Sequence, residues 1–350
     1  MENRINRLLA SADGMAFFIG SYPNIFYYSG FTSEDAFLLI TPDKRLLITD
    51  SRYTIQAQEQ AKDFEVLDIA QGFQKIFESI EEQVIGFEEN HMTVHAYERF
   101  QSALKDGQRF QPAQAMINAP RRIKDQTEIA KIAEAERLGD MAFSYVLDKI
   151  KPGVSENEIA LELEFFMKKN GASALSFDTI SASGKRSAMP HGRASDKLIE
   201  KGDFLTLDFG CVFEGYCSDM TRTVVVGTAA QWQTELYYLV LKAQTEAIKA
   251  LAAGKRCSDI DAVARNIIKD AGYGKNFGHG LGHSVGIEIH ESPNLSPKCH
   301  DIIENGHILT VEPGIYLEGR GGVRIEDLIA VVDGQAVDLT HSDKSLLVLS

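Results

Sequence analysis

At 350 residues the chain exceeds the size at which one hydrophobic core usually keeps growing, so two domains are expected. With 44% hydrophobic and 25% charged residues it has the composition of an ordinary globular protein, which excludes long disordered tracts. Lys and Arg total 36 against 50 Asp and Glu, a net charge of −14 that argues against nucleic acid or an anionic membrane as partner.

The N-terminal stretch interrupts its apolar runs with Arg4, Arg7 and Asp13, leaving neither a signal-peptide core nor a spanning helix, so a cytoplasmic location is expected. Cys211, Cys217, Cys257 and Cys299 form no C-x-x-C pair, so neither a disulfide scaffold nor a thiolate zinc site is indicated.

From residue 15 to 50 short apolar runs (MAFFIG, FYYSGF, AFLLI, LLITD) alternate with turn residues and read as consecutive strands. Residues 51–63 and 93–105 read as helices around a further strand, VIGFE at 84–88, which makes this half a small mixed α/β domain. Pro112 and Pro120 then precede a long amphipathic helix starting near Asp125, placing the boundary near residue 118, with domains at 1–118 and 119–350. A helix over 155–170 starts at Ser155 and Glu158, which have capping-box spacing, and two more are expected at 231–253 and 258–271. Strand-like runs at 203–212, 215–227, 307–317 and 322–332 pair as two hairpins through FEG and EGRGG. The later half is therefore α+β, helices over antiparallel sheet.

Asp208 and Asp219 lie on the first hairpin and Glu312 and Glu326 on the second, each among apolar neighbours where a carboxylate is costly unless a cation meets it. Taken singly, each would more often be exposed or paired with Arg, and Arg222 and Arg324 are at hand. Between the hairpins, however, FGHGLGHSVGIEIHE carries His279, His283 and His290. Four carboxylates and an imidazole make a hard, oxygen-rich set able to hold two divalent ions.

These segments resemble the pita-bread metallopeptidases, which include aminopeptidase P, prolidase and methionine aminopeptidase. The resemblance runs from about residue 118 to the end. It extends more loosely to YPNIFYYSGF and LLITDSRYTIQAQ, which look like the creatinase-type N-terminal domain of the proline-specific branch. It implies that Asp208, Asp219, His283, Glu312 and Glu326 are the metal ligands, with Asp219 and Glu326 bridging two ions. Mn is expected first, with Co, Zn or Fe as alternatives. His191 in SAMPHG, His279 and His290 are implied to line the substrate site, Glu312 to shuttle a proton, and Arg324 to contact substrate or orient a ligand carboxylate.

The activity implied is hydrolysis of the bond preceding proline at the N-terminus of short peptides, by an enzyme that forms a homodimer. A methionine aminopeptidase is disfavoured by the extra N-terminal domain. A metal-free amidinohydrolase like creatinase and a noncatalytic peptide-binding module are disfavoured by five intact ligands. Within the branch, Asn294 stands where prolidases that resemble this chain carry an Arg for the dipeptide carboxylate. That departure predicts an Xaa-Pro aminopeptidase cleaving Xaa-Pro-Yaa at least as well as Xaa-Pro, with a prolidase as the alternative.

Overall fold

The computed structural model describes residues 2–12 and 14–350, which divide into two compact units, Met1–Arg121 and Arg122–Ser350. No helix among the described residues is long and apolar enough to cross a membrane.

The first unit is built on a six-stranded mixed sheet. Its strands run in the order Glu65–Asp68, Arg45–Thr49, Ala36–Ile40, Met15–Ile19, Val84–Phe87 and Arg109–Pro112. The three middle strands pair antiparallel and the outer ones add parallel. Phe18 anchors one face, with its ring within 5.3 Å of the Phe37, Phe77 and Phe100 rings.

One expected strand is a helix instead: most of FYYSGF belongs to Tyr22–Ser29. Pro23 sits in its first turn, where its missing N–H costs nothing, and Gly30 ends it at φ 77°, donating to the Phe26 carbonyl. Tyr27 and Tyr28 are fully buried and donate to the Pro120 and Ile117 carbonyls, so tertiary packing overrides the strand preference of an aromatic run.

The second unit repeats a pattern of two helices laid over an antiparallel ladder. In its first part, helices Gln126–Val146 and Glu156–Lys169 both begin at capping boxes, Asp125 with Glu128 and Ser155 with Glu158. They bury Leu138, Phe143, Ile159 and Leu163 against Leu205, Leu207 and Val224 of the pair Phe204–Phe209 and Met220–Val226. In its second part, helices Gln231–Ala250 and Cys257–Asp270 bury Val240, Ile260 and Ala264 against Leu309 and Ile329 of the pair Ile308–Val311 and Asp327–Val332. The mixed α/β first unit and α+β second unit match the architecture expected from the sequence.

Both hairpins change ladder part-way. The first passes into Cys211–Phe213 paired with Tyr216–Cys217, closed by Glu214 and Gly215 at φ 46° and 84°, the conformation of a tight hairpin turn. The second passes into Gly314–Leu317 paired with Gly321–Arg324. Asp219, Glu312 and Glu326 stand at these breaks, next to strand ends, so their side chains need not follow the alternation of a regular ladder.

Candidate active site

All nine residues singled out as candidates border one cavity of about 1000 Å³ within the second unit: His191, Asp208, Asp219, His279, His283, His290, Glu312, Arg324 and Glu326. The hairpins meet there because Thr221, opposite Asp208 in the first ladder, also bridges Glu326 of the second. That bridge is reinforced by the Thr221 hydroxyl, which donates to Glu326 Oε2 at 2.6 Å.

The histidine segment is placed by a close backbone approach. A Cβ on Gly282 would lie 2.0 Å from the Thr310 carbonyl oxygen, so HGLGH needs glycine there for its strand to dock. His283 then donates its backbone N–H to Thr310 Oγ1 at 3.0 Å, and that hydroxyl donates to Glu312 Oε1 at 3.1 Å. Before it, Asp261 accepts from the Leu281 N–H and from Arg265, and Arg265 reaches the His279 carbonyl at 2.7 Å. This fixes the loop bearing His279.

At the centre, donor atoms of Asp219, His283 and Glu326 lie within 4.8 Å of one another. His283 Nδ1 is 3.2 Å from the Ser284 carbonyl, to which it can only donate, while Nε2 faces Asp219 Oδ2 and Glu312 Oε1, each at 3.4 Å. A nitrogen lone pair and two carboxylate oxygens facing one another call for positive charge between them. Asp208 Oδ1 is buried without a hydrogen-bond partner, although its other oxygen accepts from Arg324 at 2.6 Å. Burial, then neighbouring carboxylates, push Asp219 and Glu326 well above the usual carboxylate range. Asp208 is also raised, chiefly by burial, with the Arg324 charge opposing. An orphaned oxygen and crowded carboxylates reluctant to ionise fit a divalent cation site made of hard donors.

The histidines divide by setting. His279 Nδ1 donates to the Gly280 carbonyl at 2.8 Å, leaving Nε2 to accept from the Tyr316 hydroxyl at 3.0 Å. Burial lowers its pKa, which favours the neutral ring. His290 stacks edgewise on His283 with centroids 4.4 Å apart, and burial lowers its pKa too. His191 is exposed beside Pro190.

Arg324 is 3% exposed and spends its donors inside the protein, on Asp208, the Thr221 hydroxyl, the Tyr316 hydroxyl and the Pro190 carbonyl. Of the two roles expected for it, contact with substrate or orientation of a carboxylate, this geometry favours the second. Sequence reasoning missed Thr221, Tyr316 and Glu136. Glu136 is fully buried on the helix Gln126–Val146 and accepts from the Asp219 N–H and the Thr340 hydroxyl.

The sequence pattern of Metallopeptidase family M24 matches residues 130–333, and that of the Creatinase/Prolidase N-terminal domain matches residues 3–123. The chain belongs to metallopeptidase family M24. Among M24 relatives, the Xaa-Pro dipeptidase of Pyrococcus furiosus is 37% identical over 99% of this chain and 100% of its own. The solved Xaa-Pro dipeptidase from Bacillus anthracis superposes with a TM-score of 0.96 at 40% identity, covering 99% of each chain. An X-Pro aminopeptidase from Thermotoga maritima superposes with a TM-score of 0.92 at 39% identity, covering 98% of this chain and 99% of its own. The C-terminal unit therefore has the pita-bread fold, behind a creatinase-type N-terminal domain, and the protein is a hydrolase of the Xaa-Pro metallopeptidase group.

Proposed function

We propose that this M24 enzyme is an Xaa-Pro dipeptidase, which hydrolyses the bond between an N-terminal residue and proline. The observation that carries the hydrolytic reading is the convergence of Asp219, His283 and Glu326 donors beside the orphaned Asp208 Oδ1, inside a cavity large enough for a short peptide. The choice of dipeptidase reverses the expectation drawn from Asn294. It is supported by the named activities of the Pyrococcus and Bacillus relatives. The Thermotoga structure supports the second reading, an aminopeptidase acting on longer peptides.

Asp208, Asp219, His283, Glu312 and Glu326 would hold the metal. Divalent metal bound there supplies Lewis acidity, polarising the peptide carbonyl and making water a competent nucleophile near neutral pH. Glu312, partly exposed and accepting from the Thr310 hydroxyl through Oε1, takes the proton released by water and returns it to the departing proline nitrogen. His290 and His191 donate to the oxygen on which charge develops. His279, locked between Gly280 and Tyr316, shapes the wall against which substrate lies. Arg324 aims Asp208 and opposes the burial that raises its pKa, and the Thr221 hydroxyl aims Glu326 by hydrogen bonding. Tertiary amides at proline lack an N–H for strand-like alignment, so a cavity, rather than a sheet edge, suits this substrate.

The hard donor set points to Mn²⁺. A homodimer is proposed on the family resemblance alone. The test is to chelate the protein, add back Mn²⁺, Co²⁺ or Zn²⁺, and measure kcat/KM on Ala-Pro, Ala-Pro-Ala and Ala-Ala. Mn²⁺-dependent cleavage of Ala-Pro above the other two is expected. Preference for Ala-Pro-Ala would establish the aminopeptidase reading, and full activity with excess chelator would overturn metal dependence.

A further inference from the structure

Between the strands Gly282–Ser284 and Glu291–Leu295 lies the segment 285–290, which ends in His290 and belongs to no helix or strand. Strand pairing does not set its position. His283 pairs with Asn294, but Ser284 pairs with Glu291, so the register jumps between His283 and Ser284 and leaves Ser292 and Pro293 outside the pairing. The His290 ring nevertheless lies with its centroid 4.4 Å from that of His283. Another group must hold it there.

That group is the Glu291 carboxylate, which folds back over the segment. Its Oε1 accepts from the Ile287 and Glu288 N–H groups at 3.1 and 3.2 Å. A Cβ on Gly286 would lie 2.6 Å from Oε2, so glycine is needed there to leave the carboxylate room against the backbone. Oε2 accepts from Lys124 Nζ at 3.0 Å, and the Lys124 and Glu291 side chains are only 1% and 6% exposed. Lys124 stands just before the helix Gln126–Val146. Its N–H donates to the Gly306 carbonyl at 2.8 Å, and its ammonium also donates to the Ser284 hydroxyl at 3.1 Å. Cys217 engages carbonyls of the same segment, through its N–H to Gly286 at 2.8 Å and its thiol to Ile287 at 3.4 Å.

We infer that Lys124 and Glu291 are positioning residues, a buried clamp that holds His290 where it can serve the reacting oxygen. This rests on the reading of His290 as a donor to that oxygen in an Xaa-Pro substrate. A buried ion pair gives a fold no more stability than well-packed apolar side chains of the same size. What it supplies is direction. By bonding the Ile287 and Glu288 N–H groups, Glu291 ties the turn closed on itself with His290 inside it, and Lys124 ties that turn to Ser284 and to the backbone at Gly306. Without the clamp those two N–H groups must find other partners, and the turn can take other shapes. A shift of about 1 Å in a group that acts on the reacting atoms can lower turnover by about a hundredfold.

The test uses two charge-balanced double variants of the full-length protein, supplied with Mn²⁺. Lys124→Met with Glu291→Met removes both charges and the acceptor, whereas Lys124→Met with Glu291→Gln removes the charges but keeps an acceptor for the two N–H groups. The first should lower kcat on Ala-Pro by roughly tenfold to a hundredfold, with KM and metal content within about twofold of wild type. The second should restore most of the loss. Added to His290→Ala, the first should lower kcat no further, because the clamp acts through that ring. In histidine-labelled protein the His290 ring resonance, identified by its absence in His290→Ala, should move in the first double variant and stay in the second, while those of His91 and His95 stay in both. Wild-type kcat in the first double variant, a full further loss on the His290→Ala background, loss of metal, or an unmoved His290 resonance overturns the inference. If the first does not fold, Lys124→Met with Glu291→Asn, whose amide is one methylene shorter, takes its place with the same expectations. Should the wild type cleave neither Ala-Pro nor Ala-Pro-Ala, the Xaa-Pro reading falls, and the ring resonance alone decides whether the clamp holds His290.

Discussion

Asp219→Asn should make the metal-free protein more stable and the metal-loaded protein less stable. In the metal-free wild type the Asp219 and Glu326 donor atoms are at most 4.8 Å apart. At an effective dielectric of about 20, two full charges at that separation repel by about 3.5 kcal/mol. Asn keeps the shape and removes the repulsion. Because unfolding entropy is about 2.1 cal/mol/K per residue, a unit of this size should melt about 7 °C higher. The sign of the pH dependence follows from the raised carboxyl pKa values of Asp208, Asp219 and Glu326. A carboxyl raised on folding stabilises fully below its unfolded pKa and loses that contribution as pH climbs through the folded one. The gap between variant and wild type should therefore close near pH 4 and open toward neutrality. With Mn²⁺ at about a thousand times its dissociation constant, the wild type gains about 4.1 kcal/mol, more than the repulsion relieved in the variant, and a variant lacking one carboxylate does not match it. Scanning calorimetry of both proteins, with chelator and with Mn²⁺, should show the melting order reverse. The same order in both buffers would refute a cation site at Asp219.

His290→Ala and His191→Ala should each keep near-normal metal content by elemental analysis yet lower kcat by roughly a hundredfold, as for a lost oxyanion donor. Gly282→Ala, whose Cβ would meet the Thr310 carbonyl oxygen at 2.0 Å, should cost about 3 kcal/mol or more in urea unfolding and lower metal affinity through His283. Burial pushes Glu136 up to about 8, so its carboxyl should remove stability as pH rises from about 4.5 toward 8. Glu136→Gln should flatten that slope by about 3 kcal/mol between pH 4.5 and 7, read from denaturant midpoints.

What was legible in the sequence was whatever is signalled locally. Asp125 with Glu128 and Ser155 with Glu158 mark their helix starts within four residues, and the structure shows both capping boxes closed. The two hairpins and the histidine segment likewise announce themselves by short apolar runs and glycines. The helix Tyr22–Ser29 did not, because an aromatic run suits either element and burial of Tyr27 and Tyr28 decides between them. Nor did Tyr316 or Glu136: their roles arise from partners 37 and 83 residues away, and nothing near either residue signals them. Arg324 could be seen to lie near the carboxylates, but only the folded chain shows its guanidinium committed to Asp208.

The breaks in the two hairpins bear on how such a protein can evolve. Since Asp219, Glu312 and Glu326 sit where one ladder stops and the next begins, exchanging them interrupts no continuous run of backbone pairing. Exchanging a crowded carboxylate also relieves repulsion in the empty fold. Purifying selection on these positions must then act through catalysis, since foldability does not protect them. A lineage released from that selection would lose its ligands early, keep a sturdy scaffold, and retain a peptide-sized cavity open to a new use.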